Sequence, residues 1–143
     1  MQNIFLEIIT NKLLVLPILV LLITQVLKFL PHILKGQFSF KIFWESGGMP
    51  SSHASTAISF ATVSMIVFGL NSPMFALSVF LCGLIIRDAL GVRKESSEHA
   101  KVLNKITEKK YKLNENVGHT VPEVLVGSVL GLVLTAVVLY FWK

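Results

Sequence analysis

The chain has 143 residues, of which 53% are hydrophobic and only 15% are charged, and its formal net charge is +5. A water-soluble domain of this length needs a more polar surface, so the composition excludes that class of protein. The apolar residues also lie in long runs, which are typical of membrane-spanning helices. We therefore predict one all-α integral membrane domain over residues 1–143, a compact bundle of about four transmembrane helices. We expect no nucleic-acid partner.

Four apolar segments follow one another along the chain. The predicted spans are residues 13–30, 53–70, 74–90 and 120–142. A tight turn, Asn71-Ser72-Pro73, joins the second span to the third. The other connections are longer loops at residues 31–52 and 91–118. Both loops lie on the same side of the membrane, here called side A, because two spans separate them.

The second loop of side A contains a predicted helix from Lys94 to Leu113. Ala100, Leu103 and Ile106 follow at three-residue steps and are surrounded by lysines. We expect a basic amphipathic helix that lies on the anionic cytoplasmic leaflet. The alternative is a charged helix that is simply solvated.

The distribution of positive charge predicts the orientation. Lys12 and Lys143 lie on the opposite side, and the other Lys and Arg residues, eleven of thirteen, lie on side A. By the positive-inside rule, side A is cytoplasmic and both termini lie outside.

Ionisable side chains from four predicted helix ends meet on side A. They are Lys28, His53, Arg87, Asp88, Arg93, His119 and Glu123. Because ionisable groups are costly at membrane depth, such a gathering predicts a functional site.

Two of these residues, His53 and His119, each lie in the first turn of a predicted span. Histidine can attack phosphorus, and it can donate a proton to a leaving oxygen near neutral pH. A histidine at a helix end can also simply cap or pack. Glu123 follows His119 by four residues, on the same helix face, where its carboxylate can fix the imidazole tautomer.

The segment Gly47–His53, Gly-Gly-Met-Pro-Ser-Ser-His, is typical of a turn that opens a helix. The first turn of a helix presents free N–H groups and favours an anion such as phosphate. Ser51 can bind one phosphate oxygen together with these N–H groups. Arg87 and Arg93 can clamp others.

Two known motifs resemble these segments. Residues 50–53, Pro-Ser-Ser-His, resemble the Pro-Ser-Gly-His motif of the type 2 phosphatidic acid phosphatase (PAP2) superfamily. His119 with Glu123 resembles its last motif, and Lys28 with Lys35 resembles its first.

Four blocks together are similar to the divergent PAP2 family, a group of small bacterial and plant membrane proteins. They are residues 47–53, 88–93, 103–104 and 118–124. This resemblance implies a bacterial plasma membrane protein that acts on a lipid phosphate. One departure concerns Leu113, which stands where the superfamily has an arginine six residues before the last histidine.

The resemblance also implies the role of each site residue. His119 is the expected nucleophile that forms a phosphohistidine, Glu123 orients it, and His53 protonates the leaving alcohol. The candidate phosphate-binding residues are Ser51, Ser52, Lys28, Lys35, Arg87 and Arg93, with Asp88 as a further polar residue of the site. No metal or other cofactor is expected.

Two alternatives remain at this point. Because Leu113 replaces the arginine, the protein can instead bind or transport a lipid phosphate without hydrolysing it. It can also be a metal-dependent phosphohydrolase, with Asp88, Glu123 and the two histidines as ligands. A homodimer is a further expectation, because Gly127 and Gly131 form a GxxxG pair.

Overall fold

The structure, a computed structural model, describes residues 3–34, 36 and 47–142. These residues form helices joined by turns, without a strand among them. The helices are α1 (Ile4–Thr10), α2 (Lys12–Leu34), α3 (Ser52–Phe68), α4 (Pro73–Leu90), α5 (Val92–Ile106) and α6 (Val121–Phe141). The predicted all-α class is confirmed.

The apolar helices match the predicted spans to within a few residues. Within the described residues, Lys12–Pro31, Pro73–Ile106 and Val121–Phe141 are long and apolar enough to cross a membrane, and Ser52–Phe68 is a shorter apolar helix. Helix α3 ends two residues before the predicted boundary, because Gly69 has a φ of +82° and turns the chain out of the helix.

Helix α3 is the centre of the bundle and packs against α2, α4 and α6. Its buried residues are mostly small: Ser52, Ala54, Ser55, Ala57, Ser59, Thr62, Val63 and Ser64. Small side chains let neighbouring helix backbones approach closely, which is how helices associate in lipid.

The glycine pair of α6 packs against α3. A Cβ atom at Gly127 would overlap the backbone of Ser51, and one at Gly131 would overlap that of Ser55. One turn further, Thr135 Oγ1 donates a hydrogen bond to Ser59 Oγ over 2.7 Å. The GxxxG face therefore packs against α3 of the same chain. It does not support a homodimer, which stays a prediction.

The predicted meeting of helix ends is present in the structure. Lys12 Nζ donates to the Trp142 carbonyl over 2.9 Å, so α2 begins where α6 ends. At the other end, the N–H of His119 donates to the Ala89 carbonyl over 3.1 Å. The N–H of Ser51 there donates to the Glu123 carbonyl over 3.2 Å. The starts of α3 and α6 thus lie beside the end of α4.

The amphipathic helix of the second loop is shorter than predicted. It ends at Ile106 instead of Leu113, and Glu108, Lys109 and Lys112 have positive φ angles. The prediction of an apolar stripe formed by Ala100, Leu103 and Ile106 is also wrong in part. Ala100 is buried, but the buried face continues through Ser97 and Asn104, and Leu103 and Ile106 are exposed. Helix α5 packs through polar side chains that hold the following loop.

Candidate functional site

His119 is held by Glu123 at the start of α6. His119 as a whole is 1% exposed, and its Nδ1 lies 3.1 Å from Glu123 Oε2. The same oxygen accepts the N–H of Thr120 over 3.0 Å. Because a carboxylate only accepts, the imidazole donates from Nδ1 and keeps its lone pair on Nε2. Glu123 therefore contacts His119, as their four-residue spacing indicated.

His53 lies in the first turn of α3 and faces His119. The two ring centroids are 5.6 Å apart, with an interplanar angle of 66°. His53 Nδ1 and His119 Nε2 are buried, and neither has a hydrogen-bond partner among the described residues. Buried polar atoms without partners need a reason, and a ligand that contacts both rings provides one.

Two cations lie beside the histidines. Arg93 forms an ion pair with Asp88, which connects the start of α5 to the end of α4. Lys28 of α2 lies next to Gly48, where an added Cβ would be 3.4 Å from Lys28 Cε. The charges of Arg93 and Lys28 act on both imidazoles. Asp88 belongs to the site only indirectly, because its carboxylate holds Arg93.

The two serines before His53 have different surroundings. Ser51 is buried, and its Oγ accepts the N–H of Ala54 over 3.3 Å, so it is the N-cap of α3. Among the described residues, Ser51 Oγ has no hydrogen bond in which it is the donor, so its proton could be donated to a ligand. Ser52 lines a groove beside His53.

Of three further residues considered from the sequence, two lie away from the histidines and one is outside the described residues. Arg87 is exposed and lines a separate cleft with Glu95 and His99. Leu113 is held away by Asn104, whose side-chain amide bonds both its N–H and its carbonyl over 2.8 Å. Lys35 lies outside the described residues.

The metal-dependent alternative requires a set of ligands that lie close together. Among residues 3–34, 36 and 47–142, no three His, Cys, Asp or Glu side chains are close enough to hold an ion. The carboxylates of Asp88 and Glu123 are bonded to Arg93 and His119 instead.

The loop that presents His119 is fixed by a residue that sequence reasoning missed. Ser97 Oγ of α5 accepts the N–H groups of Val117 and Gly118, each over 3.0 Å. This contact lies about twenty residues away along the chain and has no local signal. The capping box formed by Thr120 and Glu123 does have one, the Thr-x-x-Glu pattern.

Replacing Ser97 by alanine should destabilise the protein by about 1–3 kcal/mol, because Val117 and Gly118 lose the acceptor that they share. Thermal unfolding of the purified protein in detergent measures the change. The matched control is Ser96→Ala, at an exposed position of the same helix, which should change stability by less than about 0.5 kcal/mol. Equal effects of the two variants would contradict this role.

Burial lowers the pKa of His119 below its ordinary value of 6.5, and the hydrogen bond to Glu123 opposes this effect without cancelling it. Nearby Lys28 lowers the pKa further. The imidazole is therefore neutral at pH 7, with Nε2 unprotonated.

This lowered pKa predicts how stability depends on pH. As pH falls below about 6.5, the unfolded chain takes up a proton at His119 before the folded protein does. The folded state therefore loses stability on acidification, until the pH lies below the folded pKa. The difference in melting temperature between wild type and His119→Asn isolates this residue, since the other histidines are common to both. A wild type that gains stability over the variant as pH falls would refute the prediction.

Comparisons with known proteins agree with this architecture. Residues 9–134 match the divergent PAP2 family. The chain is 31% identical to the "Uncharacterized membrane protein YuiD" of Bacillus subtilis (strain 168), over 95% of this chain and 99% of that protein. No solved structure matches the chain significantly. With a family match over most of its length and a membrane protein as a relative, the chain belongs to the divergent PAP2 family of membrane proteins.

Proposed function

We propose that this protein hydrolyses a phosphate monoester or pyrophosphate of a membrane lipid through a phosphohistidine intermediate. The observation that carries the proposal is the state of His119. Its Nδ1 is bonded to Glu123, while its buried Nε2 has no partner among the described residues and faces the neighbourhood of His53. A neutral imidazole oriented in this way is an activated nucleophile.

The reaction follows from the roles of the two rings. The lone pair of His119 Nε2 attacks phosphorus, and the bond from phosphorus to the lipid oxygen breaks. His53 donates a proton to that oxygen, which leaves as an alcohol or, from a pyrophosphate, as a phosphate. Water then attacks the phosphohistidine and gives a proton to His53. Inorganic phosphate leaves, and both histidines return to their starting states.

Positive charge supports the phosphoryl group during transfer. Arg93 and Lys28 are the nearest candidates, and the free N–H groups at the start of α3 can bind a further oxygen. The negative charge of a bound phosphate also favours protonation of His53, the form that can act as an acid.

We place this site at the cytoplasmic face of a bacterial plasma membrane, with both termini outside, on the basis of the positive-inside count. Helix α5 contacts the anionic leaflet in this proposal. Its exposed Val102, Leu103 and Ile106 can enter the interface while its lysines meet the headgroups.

Release of inorganic phosphate from defined lipids tests the proposal. Purified protein is incubated with phosphatidate, phosphatidylglycerophosphate and polyprenyl phosphates, and we expect release from at least one of them. A phosphorylated protein should be trapped when the turnover is stopped rapidly. Failure with the whole panel would refute hydrolysis.

A second candidate function is lipid-phosphate binding or transport without chemistry, and Leu113 at the superfamily arginine position favours it. Tight binding of a lipid phosphate without release, unchanged in His119→Asn, would establish this function in place of the first.

A further inference from the structure

A groove open at the side of the bundle leads away from His53. It has a volume of about 630 Å³ and is lined by α2, α3 and α4. Along α2 it reaches from Leu13 to Gln25, about 18 Å. Several of its edge residues are exposed, among them Ile18 and Ile85, so the groove faces the surrounding lipid.

The polar residues of this lateral groove lie at its His53 end. They are Gln25, Ser52, His53 and Thr56, and the remaining lining residues are apolar apart from Cys82. A ligand that fills the groove therefore has a polar end at the two histidines and an apolar body toward the middle of the bundle.

Thr56 differs from the other buried hydroxyl residues of the bundle. Six other serines and threonines of the spanning helices donate to a carbonyl three or four residues earlier, namely Thr24, Ser55, Thr62, Ser64, Ser78 and Thr135. The buried Ser59 Oγ accepts from Thr135. Thr56 Oγ1 is buried and has no such partner among the described residues. A buried hydroxyl without a hydrogen bond costs free energy, so an acceptor on a ligand would stabilise it.

The position of Thr56 along α3 indicates where on the ligand this acceptor would lie. Thr56 follows His53 by three residues, so it lies about 4.5 Å deeper along α3 on the same face. A lipid whose phosphate contacts His53 can satisfy Thr56 with an oxygen acceptor that lies within a few bonds of the phosphate. A glycerophospholipid supplies such an acceptor with its ester carbonyl, whereas a polyprenyl monophosphate has only hydrocarbon at this depth.

We propose that the lateral groove binds an acyl chain of a glycerolipid phosphate, whose ester carbonyl accepts a hydrogen bond from Thr56 Oγ1. This inference rests on the proposed function, because it takes the histidines as the phosphate site. It makes Thr56 a specificity-determining residue that selects ester-linked lipids over polyprenyl phosphates.

Binding to His119→Asn in dodecyl maltoside micelles tests the inference without consuming the lipid. The probes are dioleoyl phosphatidate, its dialkyl ether analogue with chains of equal length, and a polyprenyl phosphate. We expect the ester to bind about tenfold more tightly than the ether, the effect of one hydrogen bond. Thr56→Val in the same background should remove this difference. Thr62→Val is the matched control and should keep it, since Thr62 donates to the Ile58 carbonyl.

Two outcomes would overturn the inference: equal affinity for ester and ether, or tightest binding of the polyprenyl phosphate. Phosphate release by the wild type is measured in parallel and reports on the proposed function separately. An ester preference that depends on Thr56, seen without any release, would support the inference and refute hydrolysis.

Discussion

Replacing His119 by asparagine should lower the rate of phosphate release at least about 1,000-fold while the protein stays folded. The asparagine amide can take the place of Nδ1 and donate to Glu123, but it has no atom that acts as Nε2 does. The variant thus removes the nucleophile and keeps the bond that anchors the residue. Initial rates of phosphate release, with thermal unfolding in the same detergent, measure both properties.

Two further variants test whether the loss of phosphate release is specific to His119. His99→Asn is the matched control, because His99 is exposed on α5, and it should leave the rate unchanged. Glu123→Gln should have an intermediate effect of about 10–100-fold, because a glutamine no longer enforces one imidazole tautomer. A His119→Asn protein that keeps more than a tenth of the wild-type rate would exclude His119 as the nucleophile.

Replacing Gly131 by leucine should unfold the bundle or prevent its assembly. An added Cβ would overlap the Ser55 carbonyl oxygen, and a backbone atom cannot rotate away as a side chain can. We expect a cost above the roughly 1–3 kcal/mol of ordinary overpacking, because α6 would have to separate from α3 along its length. The folded yield in detergent and the melting temperature measure this loss.

The control for this substitution lies in α4. A Cβ at Gly83 would meet nothing within 4 Å, so Gly83→Leu should leave stability unchanged or raise it by up to about 1 kcal/mol through higher helix propensity. Similar melting temperatures for the two variants would show that α3 and α6 do not pack as closely as described.

Sequence reasoning predicted the parts of the site that depend on local spacing. His119 and Glu123 are four residues apart, so any helix start at this position brings them together. His53 and His119 each follow a helix-opening motif, and counting the spans placed both at one end of the bundle. The centroid separation of 5.6 Å was beyond prediction, because it depends on the approach of α6 to α3.

The rest of the site depends on helix rotation and on distant contacts. Arg87 and Arg93 looked equivalent in the sequence, but only Arg93 lies beside the histidines. In spans that are apolar all round, no polar face indicates which side packs inward, so the rotation cannot be read from the pattern. The early end of α5 likewise depends on Asn104, which binds the loop at Leu113 nine residues later.

The shortness of α3 has a consequence for the membrane itself. Its 17 residues measure about 25 Å, less than the roughly 30 Å of a typical hydrocarbon core. Helices α2 and α6, with 23 and 21 residues, reach that thickness. Helix α4, with 18 residues, is only one residue longer than α3, so the mismatch falls on α3 and α4. If the missing length falls at the start of α3, His53 in its first turn lies below the headgroup layer. The proposed reaction would then require the lipid phosphate to leave the headgroup layer and move inward to His53, where polar groups of the protein would take the place of its water.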